Sequence, residues 1–294
     1  MTTSEVLNFT EMPTVDNGIE RFEKYQYEPI NGTNLNAGQI TINIEQQDSF
    51  TLPSKAFLLF EGQLIKADGT AYANADAVAL TNNGILHLFK QITYELLNQN
   101  TETVYYPGQA TTMLGILKYS NDFQLARGLN QLWYKDTTTT AIIADNSGFA
   151  LRQAYIIQKP TTKGTFSLCV PLRRIFGFCD DYNKVIYGLK HTIALVRQSD
   201  DDAIFKLAGV ASGKVNLNKI SLFMPHVLPS DVEKFKLYKQ IQSKVTLPVS
   251  FRQRQCDSIS VPQANTFSWR LSVKSSPNKP RYIIVGFQTN KSGD

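Results

Sequence analysis

Three histidines, three cysteines and one pair of adjacent aspartates are the residues of this 294-residue chain from which a reactive centre would have to be built. Imidazoles serve as general bases, proton shuttles and metal ligands because they change charge near neutrality. His87, His191 and His226 stand singly in "LHLF", "KHTI" and "PHVL", so none has a second histidine on its own strand. A protein metal centre needs several such ligands brought together, and here only convergence in space would supply them. Cys169, Cys179 and Cys256 are odd in number and lack paired metal-ligand spacing, which reads as buried or inert thiols in a reducing compartment. Asp180 and Asp181 in "CDDY" are accounted for as turn residues. No GxSxG, P-loop or dinucleotide fingerprint is present. No catalytic, cofactor-binding or metal-ligating residue is therefore assigned, and neither a cofactor nor an enzyme activity is expected.

Charge narrows the partners. The net charge is +5, unevenly spread: residues 1–61 hold nine acidic and three basic residues, and residues 244–294 hold eight basic and two acidic. The two ends attract, and in neighbouring copies such patches would help docking. A nucleic-acid-binding arm would be a dense basic run, whereas the basic residues here sit singly between apolar ones. In "SFRQRQ" and "FSWRLSV" the aromatics alternate with Arg252, Arg254 and Arg270. Strand geometry sends neighbours to opposite sides, giving an apolar core face and a charged outer face instead of a base-stacking platform. No specific nucleic-acid partner is expected. No apolar stretch approaches a membrane span, and "MTTSEVLNFTEM" lacks the regions of a signal peptide. The sequons at Asn8, Asn31 and Asn290 carry little weight without a secretory route.

The elements that would position any site are mostly strands. Hydrophobic residues at 42% and charged residues at 19% suit a globular chain, and 13 Tyr with 17 Phe lean toward β-structure. Residues 1–36 show no sustained period and read as an N-terminal arm. In "QITINIEQ", Ile40, Ile42 and Ile44 alternate with polar residues, the period of a half-buried strand. "KAFLLFEGQLIK" is a second strand, and "ADGTAYANADAVALTNNG" a loop. Strands with a hairpin at "NQNTE" follow, then helical spacing at Met113, Leu114 and Leu117. "YKDTTTTAIIADNSG" is a polar excursion expected to be exposed or mobile. Phe166, Leu168, Val170 and Leu172 share one strand face, and a further strand runs through Ile193 and Leu195. The pattern restarts at "KVNLNKISLFMPHV", "VSFRQRQ", "TFSWRLSVK" and "RYIIVGF", interrupted by a helix in "SDVEKFKLYKQIQSK". Strands without regular alternation with helices argue for sandwiches, here two in series.

Four segments carry a resemblance. "NNGILHLFKQITYELLNQ" with "PGQATTMLGILKYS", then "TFSLCVPLRRIFGFCDDYNKVIYGLKHTIALVRQ", "KISLFMPHVLPSDVEKFKLYKQI", and "FSWRLSV" leading to "KPRYIIVGFQT" resemble, in order and spacing, the double jelly-roll major capsid proteins of the adenovirus-like lineage. The Polinton and adintovirus-like group and the double jelly-roll-like proteins of arthropod genomes are the members in view. The resemblance implies an all-β double jelly roll with a few short helices in inter-strand insertions: an arm at 1–36, a first roll at 37–205 and a second, incomplete roll at 206–294. A roll has eight strands, and the second unit offers four strand-like runs. A truncated second roll with an open edge near Ile283–Phe287 is therefore expected. The resemblance further implies a virion protein, or a domesticated viral homologue, made in the host nucleus or cytoplasm. It would self-associate as a homotrimer of pseudo-hexagonal outline, join a capsid lattice, and meet penton or minor capsid proteins. The readings that compete with it are a non-viral β-sandwich module binding carbohydrate or protein, and a cupin-like metalloenzyme.

Overall fold

The structure is a computed structural model that describes residues 18–30, 34–45, 48–244, 246, 248–262, 266–270 and 280–287. Two antiparallel sheets face each other. The larger contains β1 (Ile19–Tyr27), β3 (Phe50–Thr51), β4 (Phe57–Lys66), β8 (Thr165–Pro171), β9 (Ile186–Tyr187) and β12 (Gly213–Pro229), in the order β8-β4-β12-β3-β9 with β1 also paired to β12. The smaller runs β2 (Gln39–Ile44), β10 (His191–Arg197), β6 (Phe89–Leu96), β7 (Gln99–Tyr105). A separate ribbon joins β5 (Val78–Leu80) to β11 (Ile204–Lys206). Among the described residues, five α-helices occupy the connections: α1 (Pro107–Lys118), α2 (Ser147–Ile156), α3 (Leu172–Ile175), α4 (Gly177–Asp181) and α5 (Asp231–Gln242).

Period-two patterning fills the space between the sheets. Ile40, Ile42 and Ile44 of β2 are fully buried, as are Leu58, Phe60 and Leu64 of β4, and they join Phe166, Leu168 and Val170 of β8 and Ile193 and Leu195 of β10 in one cluster. The rings of Phe60 and Phe89 meet across the layers with centroids 5.8 Å apart. Each such ring contributes about 1.5–3 kcal/mol through burial. β12 needs a correction to its period to take part. Val215 and Leu217 are odd-numbered, Ile220, Leu222 and Met224 even-numbered, yet all five are in the core. The register shift between Leu217 and Lys219 resets the alternation, which is what a bulge does. Gly62 sits opposite that irregularity, where a Cβ would come within 2.6 Å of the Asn216 carbonyl and 2.9 Å of the Phe166 ring.

The helices depart from the expected pattern. Ile116 and Leu117 of α1 turn outward, Leu117 69% exposed, while Pro107, Gly108, Ala110, Thr111 and Gly115 face the body with part-buried Met113 beside them. The reason is proximity: a Cβ on Gly108 would strike the His87 ring and one on Gly115 the Trp133 ring. The polar excursion at 134–148 is largely exposed, as expected, and is organised around two buried groups. Asn146 caps α2 by accepting from Phe149 N and donates to Asp136, Thr138 O and Thr140 O. Arg152, fully buried on α2, pairs with Asp136 at 2.5 Å and donates to Leu80 O and Tyr134 O.

Other expectations also change. Within the region read as an arm, Ile19–Tyr27 is a strand in register with β12. Its side chains are mostly exposed, so an edge strand wet on both faces leaves no apolar period to read. The loop "ADGTAYANADAVALTNNG" contains β5, whose Val78, Ala79 and Leu80 are buried. The hairpin turns at Leu97 and Asn98, both at positive φ, so it overlaps the expected "NQNTE" at Asn98, while the rest of that segment is already in β7. "KVNLNKISLFMPHV" is β12 and pairs with β4 from Gly213 to Phe223. No strand forms among the described residues of "VSFRQRQ", "TFSWRLSVK" and "RYIIVGF". A β-patterned segment gains little from extension without a ladder partner. Residues 271–279 and 288–294 and the sequons at Asn8, Asn31 and Asn290 lie outside the described residues.

Phe60→Ala should destabilise the fold by about 3–5 kcal/mol, whereas Leu117→Ala should change it by less than about 0.5 kcal/mol. Urea denaturation of the two variants checks the assignment of inside and outside.

Candidate functional site

Two of the three histidines are brought to one place. His191 opens β10 and is buried between the sheets, with Tyr94 Oη 2.6 Å from Nδ1 and Thr51 Oγ1 2.8 Å from Nε2. The Thr51 hydroxyl donates its one hydrogen to the Ile186 carbonyl at 3.1 Å. It must therefore accept from Nε2, and Nδ1 accepts from the Tyr94 hydroxyl, which assigns the neutral tautomer. Burial, with a smaller contribution from nearby His226, lowers the His191 pKa to about 4. His226 lies opposite Thr51 in the β3–β12 ladder, and its Nε2 is 2.9 Å from Tyr27 Oη. A hollow of about 220 Å³ beside it is lined by Arg21, Glu23, Tyr25, Asp48 and Lys234. His87 lies elsewhere, in the turn Gly84–Leu88, near Thr112.

This arrangement ties sheets together; it does not expose a reacting group. Thr51 and His191 have about 1% of their surface exposed, so no substrate reaches the Tyr94–His191–Thr51 chain. Among the described residues no group of three or more His, Cys, Asp or Glu side chains is placed to hold a metal ion. Cys169 is half-buried, Cys179 and Cys256 are buried, all three are free thiols, and burial pushes each pKa up. Thiols so placed are poor nucleophiles.

The polar geometry of most consequence lies on the segment after α5. Glu102 of β7 is buried and accepts from the backbone N–H groups of Gly177 at 3.1 Å, Phe178 at 2.9 Å and Arg254 at 3.0 Å. Burial raises its pKa, against the lowering effect of these donors. Arg254 donates to the carbonyls of Arg173 and Arg174 and to Asp180 at 3.3 Å. Arg252 reaches Asp181 through its backbone N at 2.8 Å, its Nε at 2.9 Å and its Nη2, holding that carboxyl below its usual range. Phe251 packs edge-on against Phe178 at 5.2 Å. Residues 251–256 thus form a strap over β7 and α4. It runs so close that a Cβ on Gly177 would fall 1.7 Å from the Arg252 carbonyl.

The strap corrects three readings of the sequence. Arg252 and Arg254 hold the strap to the body instead of lying on a charged outer strand face, because the segment is not a strand and its ladder groups bond to Glu102 and Asp181. Asp180 and Asp181 end α4 and carry ion pairs, Asp180 with Lys118 and Arg254 and Asp181 with Arg252, so they are more than turn residues. Glu102, absent from the expected set, is the group on which the strap converges. Its only trace in the sequence is a carboxylate in the hairpin "NQNTETVYY" at a position whose neighbours Thr101 and Thr103 point the other way.

On α5 and beyond the strap, large apolar side chains are exposed among polar and charged ones. Phe235 of α5 is 72% exposed and Phe287 83%, and Val232, Ile241, Phe267, Trp269, Ile283 and Val285 are also exposed. The expected open edge near Ile283–Phe287 is thus an exposed apolar run without strand structure. Among the described residues no helix is long and apolar enough to cross a membrane.

Residues 78–294 match the family model of the double jelly roll-like domain. The chain belongs to the double jelly roll-like family. It is an all-β protein of this fold with short helices in its insertions. Among solved structures, this double jelly roll-like chain is similar to a chain of the Sputnik virophage at 12% identity and TM-score 0.53, over 76% of this chain and 51% of that one. It also aligns with the Faustovirus major capsid protein (11% identity, TM-score 0.46, 79% and 59% covered) and the mavirus major capsid protein (14%, 0.43, 80% and 51%). The chain spans a little over half the length of these structures. No curated protein matches it.

Two outcomes test the polar contacts. The unfolded His191 imidazole gains a proton near pH 6.5 and the folded one only near pH 4. Stability is therefore complete above pH 6.5 and should fall by up to roughly 3 kcal/mol as the pH drops to 4. His226, also lowered by burial, adds in the same sense, while Glu102 acts in the opposite one. Melting curves across this range should show a shallower slope for His191→Gln. For the strap, Glu102→Ala should cost about 1–3 kcal/mol by leaving buried donors unpaired and speed tryptic cleavage after Arg252 and Arg254 in the folded protein. Unchanged cleavage would show that Glu102 does not hold the strap.

Proposed function

We propose that the chain is a non-enzymatic structural subunit of a virion shell, or the domesticated homologue of one, which works by self-association. The observation that carries this reading is the exposed apolar surface of α5 and the segment after the strap, attached to a sandwich whose own core is filled. Soluble monomers rarely keep such surfaces open, and contiguous ones mark interaction sites. Family membership and the fold shared with a Sputnik virophage chain support the same reading. The polar groups within the sandwich are engaged in joining its layers, as the Tyr94–His191–Thr51 chain illustrates.

The proposed assembly is the one that the resemblance to double jelly-roll capsid proteins implies, a homotrimer with a pseudo-hexagonal outline, in which closed cyclic symmetry leaves no identical surface unmatched. The proposed division of each chain is an arm at 1–36 that carries edge strand β1, a first roll at 37–205 whose larger sheet is completed by β12, and a second, incomplete roll at 206–294. Trimers would then join a capsid lattice with penton or minor capsid proteins, and the compartment is the virion.

Light scattering coupled to size exclusion, with negative-stain microscopy of the same fractions, should show trimers or larger particles. A monomer at every concentration would overturn the assignment. Val232→Glu with Phe235→Glu, both on exposed positions of α5, should reduce assembly while leaving the melting temperature of the subunit nearly unchanged.

A further inference from the structure

Edge strand β8 borders a basic hollow that neither the strap nor the apolar surface explains. A cavity of about 200 Å³ lies between the end of β8, α3 and the turn Leu129–Gln131. Arg127, Arg173 and Arg174 line it together with Asn130, Gln131 and Cys169, and no carboxylate does. The Arg174 guanidinium lies over two rings, its Cζ 4.3 Å from the Tyr119 centroid and 4.8 Å from that of Phe123. Its Nε is buried without a hydrogen-bond partner. Arg127 and Arg173 take part in none of the ion pairs among the described residues. Asp180, the one carboxylate whose charge bears on Arg174, is already engaged by Lys118 at 2.9 Å and Arg254 at 3.3 Å.

Three guanidinium groups around one cavity repel one another, and Arg173 acts on Arg174 in that sense. Such an arrangement is relieved by an anion. Guanidinium forks match phosphate oxygens in two-point hydrogen bonds, and the Asn130 and Gln131 amides bring further donors. Cys169, its pKa pushed up to about 11 by burial, stays neutral and adds no opposing charge. The hollow is smaller than the roughly 300–1,000 Å³ of organic-ligand pockets, so its occupant is a single charged group and not a large organic molecule.

We propose that this arginine hollow is a binding site for a phosphate group, either as a free anion or as a phosphodiester of nucleic acid. It is independent of the assembly reading, since no residue lining the hollow belongs to α5 or to the segment after the strap.

Isothermal titration and thermal melts at matched ionic strength test it, with inorganic phosphate, tripolyphosphate and a short single-stranded DNA as probes and chloride as reference. Binding of the phosphates alone assigns a free anion, and binding of the DNA alone assigns a phosphodiester. Bound ligand should raise the melting temperature by mass action. Arg127→Gln with Arg173→Gln should weaken binding by about tenfold or more. In phosphate-free buffer the same variant should melt at the wild-type temperature or higher, because a repulsion is gone. Arg127 is exposed, so Arg127→Gln alone serves as a second variant that cannot be dismissed as misfolded, and it should also bind more weakly. Lys184→Gln, a surface control, should bind as the wild type does. The proposal is overturned if no probe binds, or if both arginine variants bind as tightly as the wild type.

Discussion

One strand constrains the rest of the molecule. β12 hydrogen-bonds β4 over Gly213–Phe223, then β1 over Leu222–Pro229, and also meets β3 at His226 and Val227. Its two halves present residues of opposite parity, so without the irregularity between Leu217 and Lys219 either Val215 and Leu217 or Ile220, Leu222 and Met224 would face water. One slipped residue would move that entire set from the core to solvent. The bulge, the glycine opposite it on β4, and the Phe166 ring that fills the space left by that glycine are therefore a single device. They let a long strand follow the curvature of a sandwich while keeping one face dry.

The core was largely legible before the structure because core strands obey simple periods. Ile40, Ile42 and Ile44, the β4 run and the face of Phe166, Leu168 and Val170 lie where alternation places them. Alternation failed in three physical situations. At β1 the strand is an edge with both faces wet, so there was no apolar face to detect. At α1 the body is approached so closely that small residues make most of the contact, with Met113 beside them, and Ile116 and Leu117 are turned outward. After α5 the sequence alternates well, with Phe267 and Trp269 separated by Ser268, but no neighbouring strand pairs with the described residues, and local propensity does not hold a strand by itself.

The polar interior was the least legible part, for a related reason. Glu102 and Arg152 are satisfied largely by backbone atoms far away in sequence, such as Gly177 N for Glu102 and Leu80 O for Arg152, and His191 by the distant hydroxyls of Tyr94 and Thr51. A single sequence shows that these residues are polar but not what folds onto them. The histidines illustrate the limit: isolated along the chain, His191 and His226 are joined in space by Thr51, which hydrogen-bonds one and pairs in register with the other. That convergence is structural. Each imidazole meets hydroxyl groups and aromatic rings, with Tyr94 and Thr51 around His191 and Tyr25 and Tyr27 around His226.

The strap changes how the charge asymmetry of the chain is understood. Read along the sequence, basic residues near the end face acidic residues near the beginning. In the folded chain Arg252 and Arg254 find their partners in the middle, at Asp181, Asp180 and the Arg173 and Arg174 carbonyls. These pairs differ in worth. Arg252 is half exposed, so solvent screens its bond to Asp181, whereas Arg254 is largely covered and its neighbour Glu102 is buried. The strap is therefore held chiefly at residue 254, and the basic groups there are satisfied within the same chain. What the following residues turn outward is apolar, from Phe267 and Trp269 to Ile283, Val285 and Phe287. Polar bonds fix where this segment leaves the body, and its side chains then have no comparable partner among the described residues, so attachment and recognition are carried by different chemistry on adjoining parts of one segment.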